Sequence, residues 1–300
     1  MIPFKNITID DKRIVQSFTI KQWRRNCELS FANLFSWSFM YGTQYAIVND
    51  FLLMRFFYKN ELVYMMPIGE GNLRHALIAI IDDAKSLQKP FRIEGACKNM
   101  CSELEEAMPK TFKYSVNRKY SDYIYLRENL VTLKGKKLQS KRNFINRFLK
   151  NNDNYEYKIL TPDLVGECIE LEKSWYNENV TAEEQEALSD ERTALTLAIN
   201  NMKALDLLGG VLFVNGKIRA FTYGNPINYE TFDVCIEKAD RNIEGAYAMI
   251  NNLFVKHIPE RYIYINREED LDIPGLRKAK LSYQPEMILE KHRVQLADNN

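Results

Sequence analysis

Histidine is scarce in this chain, and its histidines do not accompany an obvious nucleophile. There are 3 in 300 residues. A Ser-His-Asp or Cys-His triad therefore has no local support. The 5 cysteines are scattered at no metal-ligand or disulfide-framework spacing, so we predict no metal site and a reducing compartment. The residues concerned are His75, His257, His292, Cys27, Cys97, Cys101, Cys168 and Cys235.

The chain also lacks long apolar runs and any large excess of charge. No run approaches the roughly 18–20 residues that span a bilayer, and residues 1–13 contain no apolar signal core. The net charge is +1, so binding of nucleic acid would need a local basic surface. Neither GxxxxGK[ST] nor a complete GxGxxG occurs. We predict a soluble, cytoplasmic protein with no transmembrane segment and no tightly bound cofactor, while peripheral membrane contact stays open.

A local basic surface is available near the middle of the chain. Residues 134–150 hold seven basic residues and no acidic one, with apolar residues at helical spacing. The segment is either a solvated linker helix or a phosphate-binding surface, and the residues alone leave both open. Asn152, Asp153 and Asn154 then break the helix. We therefore predict two domains, 1–152 and 153–300, with the basic helix ending the first.

The two halves repeat one order of predicted elements: helices, antiparallel strands, a helix and another strand. The clearest local signal is Asn215-Gly216 between two β-rich runs, which is typical of a hairpin with a type I′ turn. Thr181 and Glu184 have the spacing of a capping box. Residues 287–289 are predicted to form a closing strand and 297–300 a frayed end. The repeated order favours two copies of one α/β unit.

Residues 231–283 organise the second half as strand, helix, strand and charged loop. The first strand ends in a charged cluster at 237–241, and the second leads directly into Asn-Arg-Glu-Glu-Asp at 266–270. In open α/β sheets, ligands bind beyond the carboxyl ends of the strands. We therefore expect one site in the second half, or between the halves, that receives side chains from both strand ends.

These segments also carry a family resemblance. EKADRNIEGAYAMINNLF (237–254) and INREEDLDIPGLRKAKLSYQP (265–285) resemble the C-terminal catalytic domain family of phosphatidylglycerol lysyltransferases. The resemblance extends to KGKKLQSKRNFINRF (134–148) and ELSFANLFSW (28–37). It implies an α/β (α+β) chain of two tandem domains of the acyltransferase fold known as GNAT, each a mixed, largely antiparallel sheet flanked by helices. It also implies similarity to enzymes that move an aminoacyl group from a charged tRNA to a lipid or to peptidoglycan.

Carboxylates, arginines and tyrosines near the predicted strand ends suit a direct acyl transfer. A base would take a proton from an amine or hydroxyl acceptor while fixed donors stabilise the oxyanion. We predict Asp240 and Glu268 as the base or as partners of an ammonium group. Tyr247 and Tyr283 are predicted as proton donors or oxyanion contacts.

A second set of residues is predicted to bind the donor or the substrate. The arginines would hold phosphate or carboxylate, and a glycine at the helix start would let the backbone approach the donor. Each residue has an equally good structural alternative as an ion pair or a satisfied core group. The set comprises Arg241, Glu244, Gly245, Asn266, Arg267, Asp270, Arg277 and Lys280.

The donor is predicted to be an aminoacyl-tRNA rather than an acyl-CoA. GNAT enzymes that use acetyl-CoA have a (Q/R)xxGx(G/A) turn, whereas residues 241–246 read RNIEGA, with Glu244 placed to repel a pyrophosphate. Two alternatives stay open: an acyl-CoA-dependent N-acyltransferase acting on a small amine, and a non-catalytic ligand- or RNA-binding module. The resemblance favours phosphate or RNA binding by the basic segment through Lys137, Lys141, Arg142, Asn143 and Asn146.

Overall fold

The chain folds into two mixed sheets flanked by helices. The computed structural model describes residues 2–179 and 185–297; the predicted capping box at Thr181 and Glu184 and most of the predicted frayed end lie outside them. The strands are β1 (Lys5–Asn6), β2 (Gln44–Val48), β3 (Phe51–Tyr58), β4 (Glu61–Tyr64), β5 (Ile68–Gly69), β6 (Arg92–Ala96), β7 (Phe112–Val116), β8 (Asp122–Leu126), β9 (Tyr155–Ile159), β10 (Leu208–Val214), β11 (Lys217–Pro226), β12 (Thr231–Ala239), β13 (Tyr264–Asn266), β14 (Met287–Leu289) and β15 (His292–Leu296).

Helices cover both sheets. None of the helices in the described ranges is long and apolar enough to cross a bilayer. The helices are α1 (Lys12–Thr19), α2 (Phe31–Ser36), α3 (Ser38–Tyr41), α4 (Leu73–Ser86), α5 (Lys98–Ala107), α6 (Arg127–Thr132), α7 (Gln139–Asn151), α8 (Val165–Asn179), α9 (Gln185–Asn200), α10 (Met202–Leu205), α11 (Ala246–His257) and α12 (Pro274–Leu281).

The sheets confirm the α/β prediction of two mixed, largely antiparallel layers. The first has the order β1-β2-β3-β4-β6-β15-β7, with β5 paired to β3. The second has the order β14-β8-β13-β12-β11-β10-β9, and its β12–β13 pair is parallel. Asn215 and Gly216 have φ of 52° and 73°, which confirms the predicted type I′ hairpin between β10 and β11.

The sheets exchange strands across the predicted domain boundary at residue 152. Strand β8 precedes that boundary but pairs with β13 and β14 in the second sheet. Strand β15 follows everything else, yet it lies between β6 and β7 in the first sheet. The sequence did not predict β15 because only its central residue, Val294, is fully buried, so its alternation is weak. Domains 1–152 and 153–300 would therefore share strands.

The second sheet is covered on both faces by elements from different parts of the chain. Phe31 and Leu34 of α2 pack with Phe221 and Tyr223 of β11 in one buried cluster. On the other face, α11 packs against the sheet, and Phe148 of α7 joins the same apolar cluster. The end of β13 consequently lies between α2 on one side and α7 with α11 on the other.

Candidate active site

The parallel ladder between β12 and β13 ends at the third residue of β12. Its three residue pairs run from Thr231 and Tyr264 to Asp233 and Asn266. Strand β12 continues to Ala239, so the carboxyl ends of the two strands are staggered by six residues, or about 20 Å. Beyond the ladder the two strands no longer pair, and polar side chains gather on both faces of the sheet at this point.

The stagger separates two residues that we predicted to act together. Asp240 accepts a hydrogen bond from Arg219 at 2.9 Å, far along β12 from Glu268. The neighbouring Glu237 does reach the second strand end, because Arg267 donates to it at 3.0 Å. Residues from the two strands therefore meet at Glu237 and Arg267, while Asp240 belongs to a separate ion pair.

Five carboxylates gather on the α2 face, and we call this cluster the acidic chamber: Glu28, Asp122, Asp233, Glu268 and Glu269. The ammonium group of Lys291 lies 2.7 Å from Glu28, Asp122 and Glu269. The Nζ atom of Lys280 donates instead to the backbone carbonyls of Arg267, at 2.5 Å, and Glu269. The described chamber therefore holds more carboxylates than ammonium groups.

Asn33 and Asn266 hold the carboxylates in place. The side-chain amide of Asn33 donates to Asp233 at 3.0 Å and to Glu268 at 2.8 Å. Asn266 donates to Asp122 at 2.9 Å and accepts from the backbone N–H of Glu268 at 2.7 Å. That last bond supports Glu268 at φ of 57°, a conformation that costs a residue with a side chain roughly 1–2 kcal/mol.

The protonation of the chamber follows from its burial and its excess of acid. Burial raises the pKa of Glu28 to about 7, and burial together with the charge of Glu269 raises the pKa of Glu268 to about 8. Burial and Glu268 raise the pKa of Asp233 well above its usual range. Burial opposes ionisation of Glu269 too, but Lys291 outweighs it and lowers that pKa. Near neutrality the chamber therefore holds protons that an incoming cation can replace.

The chamber also contains two groups with metal-ligating atoms, which we did not predict from the sequence. Cys27, Asp122 and Glu269 form one, and Asp233, Cys235 and Glu268 form the other; within each group the ligand atoms lie within 4.8 Å of one another. Lys291 supplies the cation of the first group. The second group includes the Oδ1 atom of Asp233, which is buried without a hydrogen-bond partner. Sequence spacing could not reveal these groups because their members come from distant segments.

The opposite face carries a cluster of different charge, which we call the basic cleft: Lys141, Glu237, Arg267, Tyr125 and Tyr283. Arg267 bonds to Glu237, and Asn251 of α11 donates to the same carboxylate at 2.8 Å. The Lys141 ammonium lies 4.0 Å from the ring centroid of Tyr283, and the Arg267 guanidinium 4.7 Å from it. Burial raises the pKa of Tyr283, so this phenol remains protonated.

Two of the predicted binding residues, Arg277 and Asp270, form an ion pair that holds the charged loop in place. Arg277 donates twice to Asp270, at 2.7 and 2.8 Å, and Tyr123 donates to it at 2.6 Å. The hydrogen bonds from Arg277 hold the pKa of Asp270 well below its usual range. This ion pair joins the loop to the start of α12 and leaves the Asp270 carboxylate fully buried.

Helix α7 covers the start of α11, where we expected a donor to bind. A Cβ atom on Gly245, which has φ of 85°, would lie 2.3 Å from the carbonyl oxygen of Phe144. The backbone that approaches Gly245 is therefore that of α7. Glu244 pairs with Arg147 of the same helix at 2.5 Å, and Tyr247 packs against the apolar cluster that contains Phe148.

The basic segment divides between surface and interior. Lys141 is 9% exposed and points into the basic cleft, whereas most of its basic neighbours lie on the helix surface. Arg142 donates to the backbone carbonyls of Leu133 and Gly135, the latter at 2.9 Å. The remaining predicted residues lie at the surface, as does Arg241: Lys137, Asn143 and Asn146.

We predict that Gly245→Ala lowers the free energy of unfolding by at least about 2 kcal/mol, because the new methyl group meets both a left-handed backbone and the α7 carbonyl. Urea unfolding monitored by circular dichroism measures the change. Gly275→Ala in α12 is the matched control, since a Cβ atom there meets nothing within 4 Å. Equal effects of the two substitutions would contradict the close packing of α7 on α11.

Four residues at the acidic chamber were not predicted from the sequence, because they lie outside residues 231–283. Asn33 and Glu28 lie in or before α2, Asp122 begins β8, and Lys291 precedes β15. A signal for two of them existed, since Glu28 and Asn33 fall within the ELSFANLFSW segment that carries part of the resemblance. Asp122 and Lys291 have no comparable local signal.

A family model and a solved structure each match nearly the whole chain. The family model described as phosphatidylglycerol lysyltransferase, C-terminal, matches residues 22–294. A conserved protein of unknown function from Bacteroides thetaiotaomicron has a solved structure with a TM-score of 0.96 at 54% identity, covering 99% of this chain and 100% of that one.

Two proteins of lower sequence identity match different fractions of the chain. The structure of L-PGS from Bacillus licheniformis has a TM-score of 0.61 at 13% identity and covers 93% of this chain and 95% of that one; it shares the tandem GNAT-like fold. An uncharacterised protein of Mycoplasmoides gallisepticum is 26% identical over 198 residues, which are 65% of this chain and 62% of that protein. The match thus spans less than two thirds of that protein's length.

These similarities bear out the resemblance seen in the sequence. The family model covers nearly the whole chain, and the two sheets have the arrangement of tandem GNAT-like acyltransferases. Family and fold together support a general acyltransferase role. The chain belongs to the family of phosphatidylglycerol lysyltransferase C-terminal domains.

Proposed function

We propose that the protein transfers an aminoacyl group from an aminoacyl-tRNA to an amine or hydroxyl acceptor of the lipid, cell-wall or peptide type. The observation that carries this proposal is the acidic chamber at the end of the β12–β13 ladder. It offers the unpartnered Oδ1 atom of Asp233 and the half-buried Glu268 beside it. An aminoacyl ester differs from an ordinary acyl group in bearing an ammonium group, and these carboxylates suit that group.

The chain's own residues divide the chemistry between them. Asp233, oriented by Asn33, binds the donor's ammonium group. Glu268 takes the proton from the acceptor nitrogen or oxygen as that atom attacks the ester carbonyl. The new bond to the acceptor forms, the ester bond to the tRNA ribose breaks, and the ribose oxygen leaves with a proton. Tyr283, which burial keeps protonated, lies in the basic cleft on the opposite face of the sheet and takes no part in this step of the proposal.

The covering of α11 by α7 supports this donor over an acyl-CoA. A pyrophosphate at the start of α11 would have to displace the contact between Gly245 and the Phe144 carbonyl. It would also meet Glu244, whose carboxylate already pairs with Arg147. A charged tRNA presents its ester at the end of a single strand and does not need this helix start.

We predict that the purified protein binds charged tRNA with a marked salt dependence, because contacts with the tRNA backbone release counterions. Parallel titrations with charged tRNA and acetyl-CoA, each at two salt concentrations, measure this. Release of the amino acid from tRNA on addition of amine or hydroxyl acceptors then reports transfer.

The titrations also decide between the alternatives. Saturable binding of acetyl-CoA with no response to tRNA would overturn the proposal in favour of a small-molecule N-acyltransferase. Binding of tRNA without transfer to lipid, peptide or amine acceptors would instead indicate a binding module. Uncharged tRNA is the matched control for the contribution of the aminoacyl group.

A further inference from the structure

The basic cleft contains an ammonium group that nothing in the described chain neutralises directly. Lys141 is 9% exposed, and its ammonium group lies over the rings of Tyr283 and Phe144. Among the described residues, no carboxylate oxygen lies within ion-pair distance of its Nζ atom. Burying a lysine in this way costs several kcal/mol unless an anion compensates.

Arg267 adds a second unsatisfied donor to the same cleft. Its Nη2 atom bonds to Glu237, but its Nη1 atom is buried without a hydrogen-bond partner. The single carboxylate of Glu237, shared with Asn251, faces both Arg267 and Lys141. The cleft thus holds two cations and one anion, and the side chains of Arg267 and Glu237 are each 12% exposed.

We propose that the basic cleft is a binding site for a phosphate group, held between the ammonium of Lys141 and the Nη1 group of Arg267. Both cations contact one aromatic ring, that of Tyr283, at 4.0 and 4.7 Å from its centroid, so the two positive charges lie close together. Their mutual repulsion supports the assignment, since burial and the nearby Arg267 lower the pKa of Lys141 to about 8. A bound phosphate would relieve that repulsion and add charge-assisted hydrogen bonds.

The position of the cleft suggests which phosphates it receives. Arg267 directly precedes Glu268, so the cleft and the acidic chamber flank the same strand end from opposite faces. If the protein transfers aminoacyl groups as proposed, a donor or acceptor at this strand end has its phosphate within reach. That phosphate belongs either to the terminal nucleotide of the tRNA or to a lipid headgroup, and the phosphate chemistry is common to both.

The test is a calorimetric titration of the full chain with inorganic phosphate at constant ionic strength, followed by AMP and glycerol 3-phosphate. We expect Lys141→Met to weaken phosphate binding roughly 10–100-fold, as for loss of a charged hydrogen-bonding partner. The same variant should melt at a higher temperature than the wild type, because it removes a buried, uncompensated charge. Lys141→Arg should retain binding.

The matched control is Lys203→Met, which removes the same charge from an exposed position on α10. Wild-type protein that binds no phosphate, or equal affinity in Lys141→Met and Lys203→Met, would overturn the proposal. A Lys141→Met variant that melts lower and still binds phosphate would show a purely structural lysine. Tighter Lys141-dependent binding of AMP than of glycerol 3-phosphate identifies a nucleotide phosphate, and the reverse order a headgroup.

These binding experiments need no turnover. Lys141-dependent phosphate binding combined with no response to charged tRNA would leave the phosphate site standing and remove the proposed function. Response to charged tRNA with no phosphate site would do the opposite. The two proposals can therefore fail separately.

Discussion

Replacing Lys291 by Met is expected to lower the free energy of unfolding by about 3–5 kcal/mol near neutral pH, because breaking a buried ion pair leaves its partner charged and buried. Lys291 is 4% exposed, and its ammonium group lies 2.7 Å from three carboxylates. Without it, Glu28, Asp122 and Glu269 must either repel one another or take up protons. Urea unfolding at neutral pH measures the loss.

The loss from Lys291→Met should shrink in mildly acidic solution. Protons can then replace the missing ammonium group, since burial already raises the pKa values of Glu28 and Asp122. In the wild type, the nearby carboxylates overcome the effect of burial and raise the pKa of Lys291. Titration of Lys291 itself therefore removes no stability below the pKa of a free lysine, and does so only as the pH rises through the folded-state value.

Lys278→Met is the matched control for this prediction, because Lys278 is exposed on α12. Its removal should change stability by less than about 0.5 kcal/mol, as is usual for surface positions. If Lys291→Met proved as mild as Lys278→Met, or if acid increased its effect, the acidic chamber would not be organised around that ammonium group.

Local patterns predicted much of the second sheet. The Asn215-Gly216 turn requires positive φ at both positions, and this preference places the β10–β11 hairpin without any knowledge of the remainder. The strand, helix and strand of residues 231–266 follow equally well from their apolar periodicity. Each of these signals is contained in a short window of sequence.

The site could be predicted only in part because its assembly depends on long-range pairing. The register of β12 against β13 decides that Glu237, and not Asp240, meets Arg267. The pairing of β15 with β6 and β7 in the first sheet brings Lys291 close to Glu28 and Glu269. No local property of Lys291 distinguishes it from a surface lysine in the sequence. Strand register and order are therefore the information that the sequence analysis lacked.

The burial of Lys141 on helix α7 likewise could not be predicted from its local sequence. Its segment contains seven basic residues, and composition predicts that all of them face solvent. The packing of α7 on α11 instead turns Lys141 inward, where Tyr283 covers its ammonium group. The local sequence around a buried lysine on a helix can look the same as that around an exposed one. Only the three-dimensional packing shows which lysine is buried.

Glu268→Gln is expected to lower kcat/KM for aminoacyl transfer by roughly 10²–10⁴-fold, the usual effect of removing a general base. The amide keeps the size of the side chain and can still accept the hydrogen bond from Asn33, which lies 2.8 Å from Glu268 in the wild type. It cannot take a proton from the acceptor. Radiolabelled amino acid transferred from tRNA measures the rate.

The pH dependence of the transfer rate tests the role of Glu268 more sharply than the magnitude of the loss in Glu268→Gln does. A general base must be unprotonated to act, and burial with the charge of Glu269 raises the pKa of Glu268 to about 8. In the wild type, kcat/KM should therefore rise as the pH increases and level off above about 8, since this ratio reports the free enzyme. The residual rate of Glu268→Gln should lack that rise.

Glu260→Gln is the matched control, because Glu260 is an exposed carboxylate between α11 and β13 that makes no contact with the acidic chamber. It should retain the wild-type rate and pH profile. A Glu268→Gln variant that keeps the rise in rate with pH would assign the base to another group of the chamber. In that case Asp233, whose pKa burial also raises, would be the group to replace by Asn next. The Oδ1 atom of Asp233 is buried without a hydrogen-bond partner, so this carboxylate has an acceptor atom available for the proton.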